Sequence, residues 1–174
     1  VNNSTLLPVL VSECTVENIT QVTISENTFP FNYETVTKFN CCLTAKTVND
    51  NLDAITAKVD DQEYLEVVLA RLREAYSANS TIPEAKVQVL GPASHVATNA
   101  DITMWSITKI DTLSALMDSS YGNWDAAMAQ AIVSKYLRTS GNTLGSAELN
   151  SIGGPNLCSL DTSLLWTITQ SSLR

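Results

Sequence analysis

His95 is the only histidine of the chain and so the first residue to weigh for catalysis. It stands in Gly91-Pro92-Ala93-Ser94-His95-Val96, directly after a serine. A serine nucleophile needs an imidazole base set on its hydroxyl by the fold, and adjacency in sequence does not supply that geometry. A cysteine nucleophile would need the same histidine. His95 is therefore read as an ordinary surface histidine. Carboxylates occur in pairs at Asp60-Asp61 and at Glu63 and Glu66, where they fit a solvated helix N-terminus. Glycoside hydrolysis needs two carboxyls facing across a cleft, which no sequence spacing establishes. Asp50, Asp53, Asp60 and Asp61 lack the spacing of a calcium loop. Gly153-Gly154 is followed by Pro155, which suits a helix stop and not a phosphate cradle. No catalytic, cofactor-binding or metal-ligating set is assigned, and the chain is read as non-enzymatic.

Cys14, Cys41, Cys42 and Cys158 do not form a metal-binding pair motif, and no histidine stands near them to complete one. An even count suits disulfides, with three possible pairings for four cysteines. A direct Cys41–Cys42 bridge would strain the peptide between them. The expectation is that Cys14 joins one of the two, and that Cys158 takes the other or stays reduced. Four sequons accompany the cysteines, at Asn2, Asn3, Asn18 and Asn79. Asn79, in Ser77-Ala78-Asn79-Ser80-Thr81, has the setting of an exposed loop between helices. Cysteines and sequons together point to an oxidising, secretory route. The chain opens on VNNSTLLPVL without a basic leader, so a signal peptide is expected to be absent or already removed. Its SSLR end lacks an apolar anchor tail, which would place any lipid-anchor signal outside this chain.

Composition limits the partners. Eighteen acids against ten bases give a net charge of -8, the wrong sign for phosphate backbones or anionic membrane surfaces. No apolar run reaches the roughly 20 residues that cross a bilayer. Hydrophobic residues make up 44%, enough for a packed core.

The elements that must carry these residues are mostly helical. Val48, Leu52, Ile55 and Val59 fall on one face of a helix begun by Thr44 or Thr47. Asp60 and Asp61 open the next helix, whose stripe is Tyr64, Leu65, Val68, Leu69, Leu72 and Tyr76. Pro83 fits the first turn of a short helix ended by Gly91-Pro92. Thr98 or Asn99 caps a helix through Trp105, and Thr108 with Asp111 reads as a capping box for the next. Trp124–Leu137 and Leu144–Ile152 follow, and Ser159 or Asp161 caps a last helix through Ile168. Trp105-Ser106-Ile107-Thr108 recurs as Trp166-Thr167-Ile168-Thr169, which favours packing roles for both tryptophans. Trp124, beside Tyr121 at a helix start, is the tryptophan expected to be partly exposed. Tyr121 and Trp124 are the candidate interaction surface. Residues 1–40 are expected to be irregular or partly extended, with Ile19, Val22 and Ile24 on an extended segment, and equally to allow a short helix near Thr35 to Phe39. About seven or eight short helices with tight connections suit a helical solenoid or superhelical array better than a four-helix bundle.

DITMWSITKIDTLSAL, then a polar helix ending VSKYL, then TLGSAELNSIGGPNLCSL resembles the mesothelin, stereocilin and otoancorin superfamily. The resemblance runs from Ile82 to Thr169, with a less specific fit from Cys42 to Tyr76. It implies an all-α, right-handed superhelical, armadillo-like array over residues 41–174, in a secreted or lipid-anchored glycoprotein. It also implies adhesion: family members attach acellular gels to apical cell surfaces, and one binds a heavily glycosylated mucin. In the family the cysteine after the Gly-Gly turn commonly pairs with one further along. This implies that Cys158 pairs backwards here or that the chain is part of a longer protein. The expected function is a secreted or cell-surface interaction glycoprotein, with an extracellular glycoprotein or matrix component as partner and no nucleic acid. Two alternatives stand beside it: an extracellular carrier of a small apolar ligand or pigment, and a self-assembling matrix component.

Overall fold

A computed structural model describes residues 14–76, 80–158 and 160. Among these the fold is all-α, with ten α-helices, three 3-10 turns and no strand. The backbone divides into two compact units, Val1–Ser77 and Ala78–Arg174. The boundary drawn from composition at residue 40 falls inside the first of them.

The first unit contains α1 (Gln21–Ser25), α2 (Val36–Cys42), α3 (Ala45–Lys58) and α4 (Gln62–Ala75). Each starts on a side chain that accepts an otherwise orphaned backbone N–H. Thr20, Thr35 and Thr44 take those of Thr23, Lys38 and Thr47, and Asp61 takes that of Glu63 at 3.0 Å. The helical period of α3 holds: Val48, Leu52, Ile55 and Val59 are all buried. Asn51 interrupts it with non-helical angles, and its amide donates to the Thr47 carbonyl. On α4, Leu65, Val68, Leu69 and Leu72 are buried against α3 and α2. Each such side chain contributes about 1.5–3 kcal/mol of burial free energy.

Residues 14–40 hold more helix than their composition suggests. The extended stretch expected around Val22 is helix α1. Thr20 caps it, and the Lys58 ammonium donates to the carbonyls of Ile24 and Glu26 at its C-terminal end. β-branched residues disfavour a helix only weakly, and these tertiary bonds outweigh the preference. Phe29, Tyr33 and Phe39 pack edge-on or tilted at centroid distances of 6.1–6.3 Å, and Phe39 meets Tyr64 of α4 at 4.8 Å. All three are buried, so this segment supplies core to the first unit. The short helix expected near Thr35 is present as α2.

The second unit contains α5 (Glu84–Val87), α6 (Asn99–Met104), α7 (Ile110–Leu116), α8 (Ala126–Leu137), α9 (Ser146–Ile152) and α10 (Gly154–Leu157). Helix α7 is its centre and packs against α5, α8, α9 and the 3-10 turn Gly91–Val96. A parallel bridge ties Ile82 to Trp105: the Ser106 N–H donates to the Ile82 carbonyl at 3.0 Å. Trp105 is 1% exposed, in keeping with a packing role. Trp166 and the last expected helix lie outside the described residues.

Thr98 caps α6 as expected, and two other caps differ from their sequence reading. The capping box sits at Thr98 and Asp101, on α6. Helix α7 has no side-chain cap of its own at Lys109. The Glu84 carboxylate caps it instead, accepting from the Thr108 and Lys109 N–H groups and from the Thr108 hydroxyl. Gly153, at φ 78°, ends α9 as a left-handed stop should, but a further helical turn, α10, begins at once.

Candidate interaction surface

Disulfide Cys14–Cys42 closes a loop of 28 residues' separation in the first unit. Cys42 is buried, whereas its neighbour Cys41 is half-exposed. Successive helical residues point about 100° apart, so only one of the two can face Cys14. Cys14 thus joins one of the two neighbouring cysteines, as expected, and Cys158 lies outside a disulfide, the second of the two alternatives left open for it. Asn18 lies within the closed loop and is exposed. Its carbonyl accepts the Thr23 hydroxyl, which holds the backbone of the sequon against α1. Around it Val16 and Val22 are 45% and 70% exposed, and Phe31 further along the loop is 78% exposed. Asn2, Asn3 and Asn79 lie outside the described residues.

Tyr33, in the same loop, anchors it from below. Its hydroxyl donates to the Glu17 carbonyl at 2.7 Å. Burial, followed by the nearby charges of Glu17 and Glu26, raises its pKa.

In the second unit the residues singled out for chemistry have other occupations. The Ser94 hydroxyl donates to the Gly91 carbonyl at 2.7 Å, inside its own 3-10 turn. The His95 ring stacks on Trp124 at 4.2 Å and 28°. Burial lowers the His95 pKa, and its Nε2 is buried without a hydrogen-bond partner. The surface histidine of the sequence reading is thus a packed one. No group of three His, Cys, Asp or Glu residues that could hold a metal occurs among the described residues.

The structure also withdraws Trp124 from the surface. It is 6% exposed, its indole N–H donates to the Leu116 carbonyl at 2.7 Å, and its backbone N–H donates to Asn156. A glycine–asparagine break before a tryptophan looks exposed in sequence, but this break turns the indole back under α7. Asn156 was not a sequence candidate. Its side chain is buried and completes the node by donating to the Ile152 carbonyl. The signal available was an asparagine following a Gly-Gly-Pro turn, where a short amide can bond the backbone on both sides.

Tyr121 keeps its place, 42% exposed on the turn Ser119–Tyr121. Ser119 of that turn also lines a polar cleft of about 430 Å³, with Ser114, Asp118, Asn123, Asn150 and Ser151. Asp118 caps the turn through the Ser120 N–H, which holds its pKa below the usual carboxylate value. On α9, Glu148 accepts the Tyr136 hydroxyl at 2.7 Å and the Gly145 N–H at 3.1 Å. Burial and that carboxylate push the Tyr136 pKa up to about 12. The arrangement offers exposed hydroxyl, amide and phenol groups on a firmly held frame.

Helices of the described residues are too short and too polar to cross a membrane. The mesothelin family profile matches residues 19–174. A human protein named mesothelin-like protein is 29% identical over 160 residues, covering 90% of this chain and 22% of its own length. The mouse mesothelin-like protein is 30% identical over 164 residues, covering 92% of this chain and 23% of its own length. The chain therefore spans under a quarter of the curated relatives it matches. With residues 19–174 matched, most of the first unit and all of the second, the chain belongs to the mesothelin family.

Proposed function

We propose that this chain is a non-enzymatic, extracellular or cell-surface interaction glycoprotein, built as part of a superhelical helical array. The carrying observation is the Cys14–Cys42 disulfide with an exposed sequon, Asn18, inside the loop it closes. Disulfides persist in oxidising compartments, where sequons are also glycosylated. Family membership supports the same reading. The partner is an extracellular glycoprotein or matrix component, met on the face that carries Tyr121 and the polar cleft beside it. Exposed phenol, amide and hydroxyl groups on a rigid frame suit such a partner, because tyrosine gives contact area at small entropic cost.

The test uses the oxidised chain secreted from cultured cells and labelled with a fluorophore. Non-permeabilised cells should bind it saturably, protease treatment of their surface should remove the binding, and Tyr121→Ala should weaken it. Binding that is absent, or that survives removal of surface protein, would contradict the proposal.

A further inference from the structure

We propose that an N-linked glycan on Asn18 is a structural part of the first unit, its first N-acetylglucosamine covering the exposed side chains of Val16 and Val22. The inference rests on the glycoprotein reading and adds what the sugar does. Four large apolar side chains stand exposed among the described residues: Val16, Val22, Phe31 and Tyr121. The first three fall within the loop closed by Cys14–Cys42. Apolar side chains left in water are normally scattered singly, so this concentration marks a surface that something covers. The backbone of the loop gathers around the sequon. Val16 precedes Asn18 by two residues. The Thr23 hydroxyl donates to the Asn18 carbonyl, which brings the turn of α1 that carries Val22 against it. Phe31 stands two residues before Tyr33, whose hydroxyl donates to the carbonyl of Glu17, the neighbour of Asn18. Asn18 itself faces outward: Ile19 after it is buried, while Asn18 and Thr20 are exposed. Its side-chain amide has no hydrogen bond among the described residues.

A tethered sugar suits this surface better than a free partner. Glu17 and Glu26 lie close enough for both charges to act on the Tyr33 hydroxyl, and acids in this setting oppose an anionic lipid surface. A free protein loses translational and rotational freedom on docking, which burial of two valines barely offsets; an attached sugar has already lost it. The C–H face of the pyranose ring and the acetyl methyl are apolar, while the ring hydroxyls stay in water. Such a group covers valine as an amphipathic side chain does. Attachment joins the Asn18 side-chain nitrogen to the sugar's C1 as the C1–oxygen bond of a lipid diphosphate donor breaks. The amide proton leaves, and the diphosphate departs with the electron pair.

The test uses the chain with Asn2→Gln, Asn3→Gln and Asn79→Gln, secreted from cultured cells with mannose-type glycans, so that only Asn18 carries sugar. Intact mass gives the occupancy, and an endoglycosidase trims the glycan to its first N-acetylglucosamine. This form should melt about 2–4 °C above the same chain carrying Asn18→Gln, the size expected at this chain length when part of two valine side chains leaves water. Val16→Ser with Val22→Ser should remove that gain. Both side chains are exposed, so the bare form's Tm should hardly change. NMR cross-relaxation should join the acetyl methyl to the Val16 and Val22 methyl groups. Equal Tm with and without sugar, a gain that persists in the double variant, or no such methyl contact would overturn the proposal. A sugar on Asn18 without the valine-dependent gain would strike this inference alone and leave the glycoprotein reading standing. Asn18 found bare in the secreted chain would overturn both.

Discussion

Replacing Glu84 should uncouple two helices at once. Its carboxylate sits at the start of α5 and caps α7 from outside, accepting two backbone N–H groups and one hydroxyl. Helix α7 has no cap of its own, and it is the helix on which α5, α8 and α9 pack. Loss of a helix cap costs about 0.5–2 kcal/mol. The partly exposed setting argues against adding the full value of charged hydrogen bonds. Glu84→Ala is therefore expected to cost about 1.5 kcal/mol, or about 3–6 °C in Tm for a chain of this size. The pH dependence adds a second reading. Burial pulls the Glu84 pKa upward, but hydrogen bonds from Thr108, Lys109 and Thr112 outweigh it and hold the pKa below 4.5. A carboxyl with a depressed folded pKa contributes stability above its unfolded pKa and loses it as pH falls through the folded one. Urea unfolding of wild type and Glu84→Gln, followed by circular dichroism across this range, should show a gap that closes at acid pH. A Glu84→Ala protein as stable as wild type, or a gap indifferent to pH, would refute the capping role.

Reduction of Cys14–Cys42, or Cys42→Ser, releases a loop of 28 residues' separation and should cost about 3–4 kcal/mol, read as a lower urea midpoint. His95 has its pKa lowered by burial, so the unfolded chain takes up the proton first. Stability should fall as pH drops from about 7.5 to about 5.5, and His95→Phe, which keeps a ring on Trp124, should flatten that fall. Trp124→Ala should cost about 3–5 kcal/mol as a core deletion, whereas Tyr121→Ala should stay within about 0.5 kcal/mol and act only on binding. Denaturation midpoints of the two variants, measured side by side, check that contrast.

Local patterns in the sequence carried as far as local physics decides. The four-three-four spacing of Val48, Leu52, Ile55 and Val59 needs only a helix with one buried side, and all four are buried. Thr44 and Asp61 could be named as caps because a cap bonds within its own first turn. The misses came where the deciding partner is distant in sequence. Glu84 caps a helix whose N-cap residue lies 25 residues away, and the Trp124 backbone meets the Asn156 side chain 32 residues on. Phe29, Tyr33 and Phe39 looked like an irregular tail because their period is neither 2 nor 3.6, and only their convergence on one another, with Phe39 also meeting Tyr64, makes them core. The candidate surface was half legible: Tyr121 is exposed, while the tryptophan beside it turns inward. Nothing local tells a break that exposes an indole from one that buries it.

The central claim is that this chain lives in an oxidising, glycosylating environment. Intact mass of protein recovered from its natural source, before and after deglycosylation and then reduction, tests it most directly. The account predicts a mass loss on deglycosylation, with Asn18 converted to aspartate, and a Cys14–Cys42 linkage that disappears only on reduction. A bare chain with all cysteines reduced would contradict it.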